Sequence, residues 1–535
     1  MAASLLAEMN LPFPPMPLDD TTRFDLPSTE QLLLQGGDAR IALGADGVSN
    51  KYGCSPLPDS ALLAFGSSTA STISKAGFDA ANKLRNTLLR SAKTEPHHVT
   101  YARELDRVRH ELMHLCGIHD FPDVDVVFAA SGTDLHLISA QLVGGEVSTP
   151  ALVIMVDAEE TGRGVPAAVA GRHFSTQSAL GASVLEGSSI AGGTEIEVAT
   201  VSVRHIDGTP RNADEIDADV ASMANAAAAR NQRVLLILAD VTKTGMVAPT
   251  VGCATGLRQR LPDIVEIMVD ACQFRIAPAT LRAYLEHDFM VAVTGSKFLT
   301  GPTFAGALFI PPAPDQRLRK QSLPRALSAY SSRAEWPLSW VPANTLDNVA
   351  NFGLLLRWEA ALEELRAFHA VPETEVTNFL QTFAQAIQHH LENNPIFRPL
   401  PVPQIDRRAL TDAKSWDQLP TIFPFLLCRP AALGGKPLNR EQTMEVYRSL
   451  QVDLTAQSDF AGSIDLSTSS LALQCQLGQP VACGERDGVP VSALRICASA
   501  RLVVEAVQNG KHAAAVIERA LDALEKTALL VTRLA

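Results

Sequence analysis

Five short segments limit what this chain can fold into more than anything else in it. Residues 124–130, 151–156, 233–239, 264–269 and 291–294 are almost unbroken apolar runs, and each ends abruptly in small or charged residues. Between most of them lie longer stretches with helical spacing, such as the alanine-rich segment 212–230 and the segment 251–261. Strands apolar on both faces and alternating with helices specify a mainly parallel sheet covered on both sides. The run 195–203 is read as a further strand. In such a sheet ligands bind beyond the carboxyl ends of the strands. Ser131, Glu159, Thr242, Asp270 and Lys297 all stand at or just after strand ends, so five polar side chains are expected along one edge.

Length and charge narrow the rest. A chain of 535 residues has room for two or three domains. Residues 1–60, rich in proline and aspartate, read as an N-terminal arm, and 61–344 as a large α/β domain with a seven-stranded-type sheet. Residues 345–367 read as a linking helix and 368–535 as a smaller α+β domain, with strands expected at 421–427, 469–474 and 492–497. The net charge of −13 argues against nucleic acid or an anionic membrane as the main partner. No apolar run reaches the roughly 18 residues of a membrane span. The first residues lack a basic region, and the eight cysteines include no C-x-x-C pair. Together these point to a cytoplasmic protein.

Lys297 follows Thr294-Gly295-Ser296 at the end of an apolar run. Taken alone, it is equally a turn residue between two strands. Burial at such a place depresses an amine's pKa and suits it to condense with an aldehyde. Three other segments match a phosphorylated aldehyde cofactor. Ser131-Gly132-Thr133, where a strand turns into a helix, offers backbone N–H groups and hydroxyls to a phosphate. Asp270 can pair with a pyridinium nitrogen, and Gln273 can bond a phenolic oxygen. A protonated ring then acts as an electron sink, and Lys297, once displaced, becomes a base beside the substrate's α-carbon.

Val269-Asp270-Ala271-Cys272-Gln273, followed by Thr294-Gly295-Ser296-Lys297, Gly301-Pro302 and 306–310, resembles the pyridoxal-phosphate enzymes of fold type I. The closest branch is the class V aminotransferase and cysteine desulfurase group. The resemblance covers about residues 62 to 310, with an echo near Arg495. It implies pyridoxal 5′-phosphate as cofactor, with Asp270 at the ring nitrogen, Gln273 at the phenolic oxygen and Lys297 as the Schiff-base lysine. Thr294 and Ser296 would join Ser131, Gly132 and Thr133 at the phosphate. Arg495 resembles the arginine that clamps the substrate carboxylate, and Ser68 and Thr69 fall in the small-residue segment 66–72 that borders the substrate. Thr345 would reach the phosphate of a partner subunit, since these enzymes are typically homodimers. Where the family stacks an aromatic on the ring, this chain has Glu159-Glu160-Thr161-Gly162, leaving His136 and His173 as stacking candidates. Thr242 stands where relatives have asparagine, and Ser296 replaces a histidine. Glu159 and Glu160 read more simply as solvated loop charges.

One motif points elsewhere. His110-Glu111-Leu112-Met113-His114 is an H-E-x-x-H match on a helix, with His119 as a third zinc ligand, and would make the protein a metallohydrolase. The fuller constellation favours an aminotransferase acting on a small α-amino acid through an external aldimine and a quinonoid. A lyase breaking a bond at the β position is the alternative. Cys475 and Cys483 lie near the place of a desulfurase thiol but read as buried and inert.

Overall fold

A computed structural model describes residues 26–144, 151–190, 192, 196–320, 322–455, 468–508 and 512–534. Residues 1–25 of the arm, including the proline-rich stretch 11–17, therefore lie outside the described residues.

Two sheets organise the chain. In chain order the strands are β1 (Leu62–Phe65), β2 (Asp125–Ala129), β3 (Ala151–Val156), β4 (Ile196–Val201), β5 (Val234–Asp240), β6 (Val247–Ala248), β7 (Val265–Ala271), β8 (Met290–Thr294) and β9 (Gly306–Ile310). They continue as β10 (Phe397–Pro399), β11 (Ile422–Leu427), β12 (Gln474–Arg486) and β13 (Val489–Cys497). The first sheet runs β2-β9-β8-β7-β5-β3-β4, with β6 attached to β5. Its central pairings are parallel, and β9 is antiparallel to both neighbours. This is the α/β architecture that the apolar runs specify. β3, β5, β8 and β9 are buried along their whole length, whereas the edge strand β4 alternates and is part exposed.

From β3 the sheet grows one way, to β4; from β5 it grows the other way, to β7 and β8. The adjacent carboxyl ends of β3 and β5 thus form a switch point, where loops diverge and leave a crevice. Helices Gly132–Gly144 and Val251–Arg260 pack against the sheet.

The second sheet runs β1-β12-β13-β11-β10. Here the structure corrects two expectations. Leu62–Phe65 pairs in parallel with Gln474–Leu477, so this strand belongs to the second sheet and not to the large α/β layer. Residues 469–474 are not a strand: Thr468–Ala472 is a short helix, and β12 starts at Gln474. Three small residues open that segment, and the alternation a sheet edge needs sets in only from Gln474 onward. The helix expected at 345–367 is Phe352–His369, started by Asn351, whose side chain accepts from the Leu354 N–H at 3.0 Å. It is buried along most of its length, packed against the helices Lys75–Ser91 and His97–Leu115. A buried ion pair ties the segment after this helix to the first sheet: Arg407 binds Asp240 at the end of β5 at 2.5 Å, and Tyr284 donates to the same carboxylate at 2.6 Å.

Candidate active site

Register brings the sequence candidates together. Asp270 pairs with Ala239 on one side and Ala292 on the other, and Thr294 closes β8 opposite Gly306. Asp270, Thr242 and Lys297 therefore share the carboxyl edge. The turns that present them are strained. Val241, Phe274, Thr300 and Phe304 have φ of 63°, 54°, 62° and 76°. Non-glycine residues held there, β-branched ones above all, cost about 1–3 kcal/mol each and cluster at functional sites.

Asp270 is the electrostatic centre. Its Oδ1 accepts from the Cys272 N–H at 3.1 Å, and His136 Nε2 lies 3.3 Å from Oδ2. Burial alone would raise its pKa, but His136 and the nearby Lys297 outweigh burial and hold the carboxyl well below the usual carboxylate range. His136 sits directly beside this carboxylate. It is anchored through Nδ1 to the Gly132 carbonyl at 2.7 Å and braces the aspartate. His173 stacks instead on Tyr330, with ring centroids 5.8 Å apart.

Among the described residues, several buried polar atoms near Asp270 and Arg495 have no partner. Gln273 donates through Nε2 to the Ser68 carbonyl at 3.0 Å, which leaves its Oε1 buried and unmatched. The Ser68 and Thr72 hydroxyls are likewise buried without partners. Arg495 is fully buried and donates only to Thr69 Oγ1 at 3.0 Å, to the Lys243 carbonyl at 3.4 Å and to the Gln479 carbonyl, while its Nε stays unpaired. Glycine at 478 gives this guanidinium room, since a Cβ there would lie 2.9 Å from Arg495 Nε and 2.8 Å from Ser68 Oγ. Thr294 Oγ1 donates to the Cys272 carbonyl at 2.7 Å, and Ser296 is buried.

The Ser131–Thr133 turn carries a residue that sequence reasoning missed. Arg40, from the segment before β1, donates to Thr133 Oγ1 at 3.1 Å and Ser131 Oγ at 3.3 Å. Asp38 grips the same guanidinium in two-pronged fashion, at 2.6 and 2.9 Å. Ser131 donates to Asp134 at 2.5 Å, and burial with the nearby Asp38 charge pushes the Asp134 carboxyl up to about 7. Gly132 has no room for a side chain, as a Cβ would meet Cys272 Sγ at 2.8 Å.

Three candidates stand apart. Thr345 is exposed, with its hydroxyl on the Pro342 carbonyl at 3.0 Å. Thr242 is buried and turns inward, its Oγ1 accepting from the Met246 N–H at 3.2 Å. Glu160 corrects the reading of a solvated loop charge: it is buried, bound to Arg204 at 3.1 Å and to Thr244 at 2.7 Å.

The H-E-x-x-H helix is not arranged for zinc. Arg366 and Arg107 hold the Glu111 carboxylate at 2.6 and 3.1 Å, and His110 Nδ1 is paired with the Asp106 carbonyl at 2.8 Å. Among the described residues no helix is long and apolar enough to cross a membrane.

No family model matches the chain, and no curated protein does. Solved structures similar to it include the cysteine desulfurase CsdA from Escherichia coli, at 14% identity, 87% of this chain, 95% of that one and a TM-score of 0.49. The cystine C–S lyase C-DES gives 12% identity, 86% and 97% coverage and a TM-score of 0.49. Serine palmitoyltransferase from S. paucimobilis, whose structure has bound PLP, gives 11%, 88%, 88% and 0.47.

Proposed function

We propose that this protein is a pyridoxal-phosphate-dependent enzyme that transfers the amino group of a small α-amino acid. The observation that carries the proposal is the arrangement at the sheet edge. The Asp270 carboxylate, 11% exposed and kept ionised by His136 and Lys297, shares this edge with a fully buried arginine that has an unpaired N–H.

The residues present fit the cofactor. Asp270 suits a pyridinium N–H, and the unmatched Gln273 and Ser68 atoms suit polar ring or substrate groups. Ser131, Gly132 and Thr133, with Thr294 and Ser296, suit a phosphate, and Arg40 adds a positive charge. When bound, the cofactor supplies an electron sink for the pair left at the substrate's α-carbon. Asp270, braced by His136, holds a proton at the ring nitrogen. Lys297 would supply the amine that holds the cofactor and the base that moves the proton at the substrate's α-carbon. Arg495, with Thr69 and Ser68, binds the substrate carboxylate and fixes which α-bond is presented.

A lyase would use the same residues, so product analysis decides between keto acid and released ammonia, sulfide or carbon dioxide. A desulfurase route through Cys475 or Cys483 is disfavoured, because burial pushes both thiols up to about 11 and leaves little thiolate. The proposal includes a homodimer, in which the exposed Thr345 is free to reach the partner's phosphate, and sedimentation of the purified protein tests it.

Purified, cofactor-replete protein is expected to show a visible absorbance band that Lys297→Ala abolishes. A colourless protein, or a band that survives the substitution, overturns the proposal.

A further inference from the structure

The turn after β5 carries a lysine that the reaction just described does not use. We propose that Lys243, together with Arg495, binds a second acidic group, so that the substrate is an α-amino acid with an acidic side chain. This deepens the functional reading above and rests on it.

Lys243 spans the switch point. The left-handed Val241 turns the chain, and Lys243 Nζ reaches across to the end of β3, donating to the Glu159 carbonyl at 3.0 Å and the Ala158 carbonyl at 3.3 Å. Its own carbonyl accepts from Arg495, so amine and guanidinium belong to one crevice. Two carbonyls orient an ammonium but do not neutralise it, and one of its three N–H groups remains free for a ligand.

The crevice has a surplus of positive charge. Among the described residues, no carboxylate forms an ion pair with Lys243 or Arg495. Glu160, the acid whose charge acts on both, is already bound by Arg204 and Thr244. Burial, then Arg495, then Lys297 drive the Lys243 amine down to about 7, with exposed Arg163 adding to the effect. Arg495 is fully buried and Lys243 half-buried, and a cation withdrawn from water without a counter-ion is costly until an anion enters. A single carboxylate on Arg495 leaves Lys243 uncompensated; two acidic groups on one small molecule answer both.

Calorimetric titration of the cofactor-replete protein with L-glutamate against L-glutamine, and L-aspartate against L-asparagine, tests this. The acids are expected to bind about 10-fold or more tightly than their amides, as a charge-assisted bond predicts. Lys243→Met should bring the ratio close to one, and Lys243→Arg should keep most of it. Equal binding of acid and amide by the unmodified protein overturns the proposal whether or not any variant folds. An undiminished ratio in a folded Lys243→Met protein overturns it too. The visible band reports separately on the cofactor, so its loss with the ratio intact sinks the functional reading and leaves the anion site standing.

Discussion

The two ends of the crevice handle buried charge in opposite ways. At the Ser131–Thr133 turn, Arg40 is met by a carboxylate in two-pronged contact and by two hydroxyls. At the other end, Arg495 has only a hydroxyl and two carbonyls, with Nε unmatched, and Lys243 has only carbonyls. Carbonyls can satisfy a buried arginine when the fold needs one: Arg357, equally buried, donates to the Phe304, Leu33, Gln35 and Gly36 carbonyls and has no nitrogen unmatched. Arg357 is a finished structural part, whereas Arg495 is left unfinished. A buried cation that the protein itself does not complete is the signature of a ligand position, and one that it does complete belongs to the scaffold.

The sharpest way to break this contrast is to remove each arginine and compare stabilities. Arg40→Met strands the fully buried Asp38 carboxylate, and the loss is expected to be about 3–5 kcal/mol, seen as a lower denaturant midpoint. Adding Asp38→Asn should restore a large part of it. Arg495→Met removes a charge that has no counter-ion, so the midpoint should hold or rise. The effect there should fall on substrate, whose binding should weaken roughly 10- to 100-fold. Equal destabilisation by the two substitutions would show that Arg495 is scaffold after all.

The parts legible in the sequence were those that strand ends mark. Asp270 and Lys297 stand out because an apolar run stops there, and parallel pairing in register brings such stops to one edge. The folded neighbours of those residues were not legible. Arg40 meets Ser131 across 91 positions, and nothing local in Gly37-Asp38-Ala39-Arg40 distinguishes it from a surface turn. His136 is legible in the sequence as a stacking candidate, whereas its contact with Asp270 depends on how the helix crosses β7. Lys243 follows Thr242 just past an apolar run, but its role depends on β3 lying next to β5, a fact of strand order that no spacing encodes. A signal was present at Glu160: an acid at a buried strand end calls for partners, and Arg204 and Thr244 supply them, while Glu159 beside it is exposed.

The contrast also has a signature in pH. The closed end borders buried acids. Burial pushes Glu335 up to about 7, although it accepts from Ser331 at 2.8 Å, Ser332 N–H at 3.0 Å and Tyr101 at 3.1 Å, and Asp134 is raised likewise. Between about 4.5 and about 7 the unfolded chain has released the Glu335 proton and the folded one keeps it, so its contribution to stability falls as pH rises through that window. The open end runs the other way. Lys243 is lowered to about 7 from 10.5, so between those values the unfolded chain holds a proton that the folded one lacks, and the contribution rises with pH. Glu335→Gln should therefore flatten only the acidic side of the stability profile, and Lys243→Met only the alkaline side, both read as denaturant midpoints across pH. Either variant altering the wrong side would mean that the two ends do not divide their charge in this way.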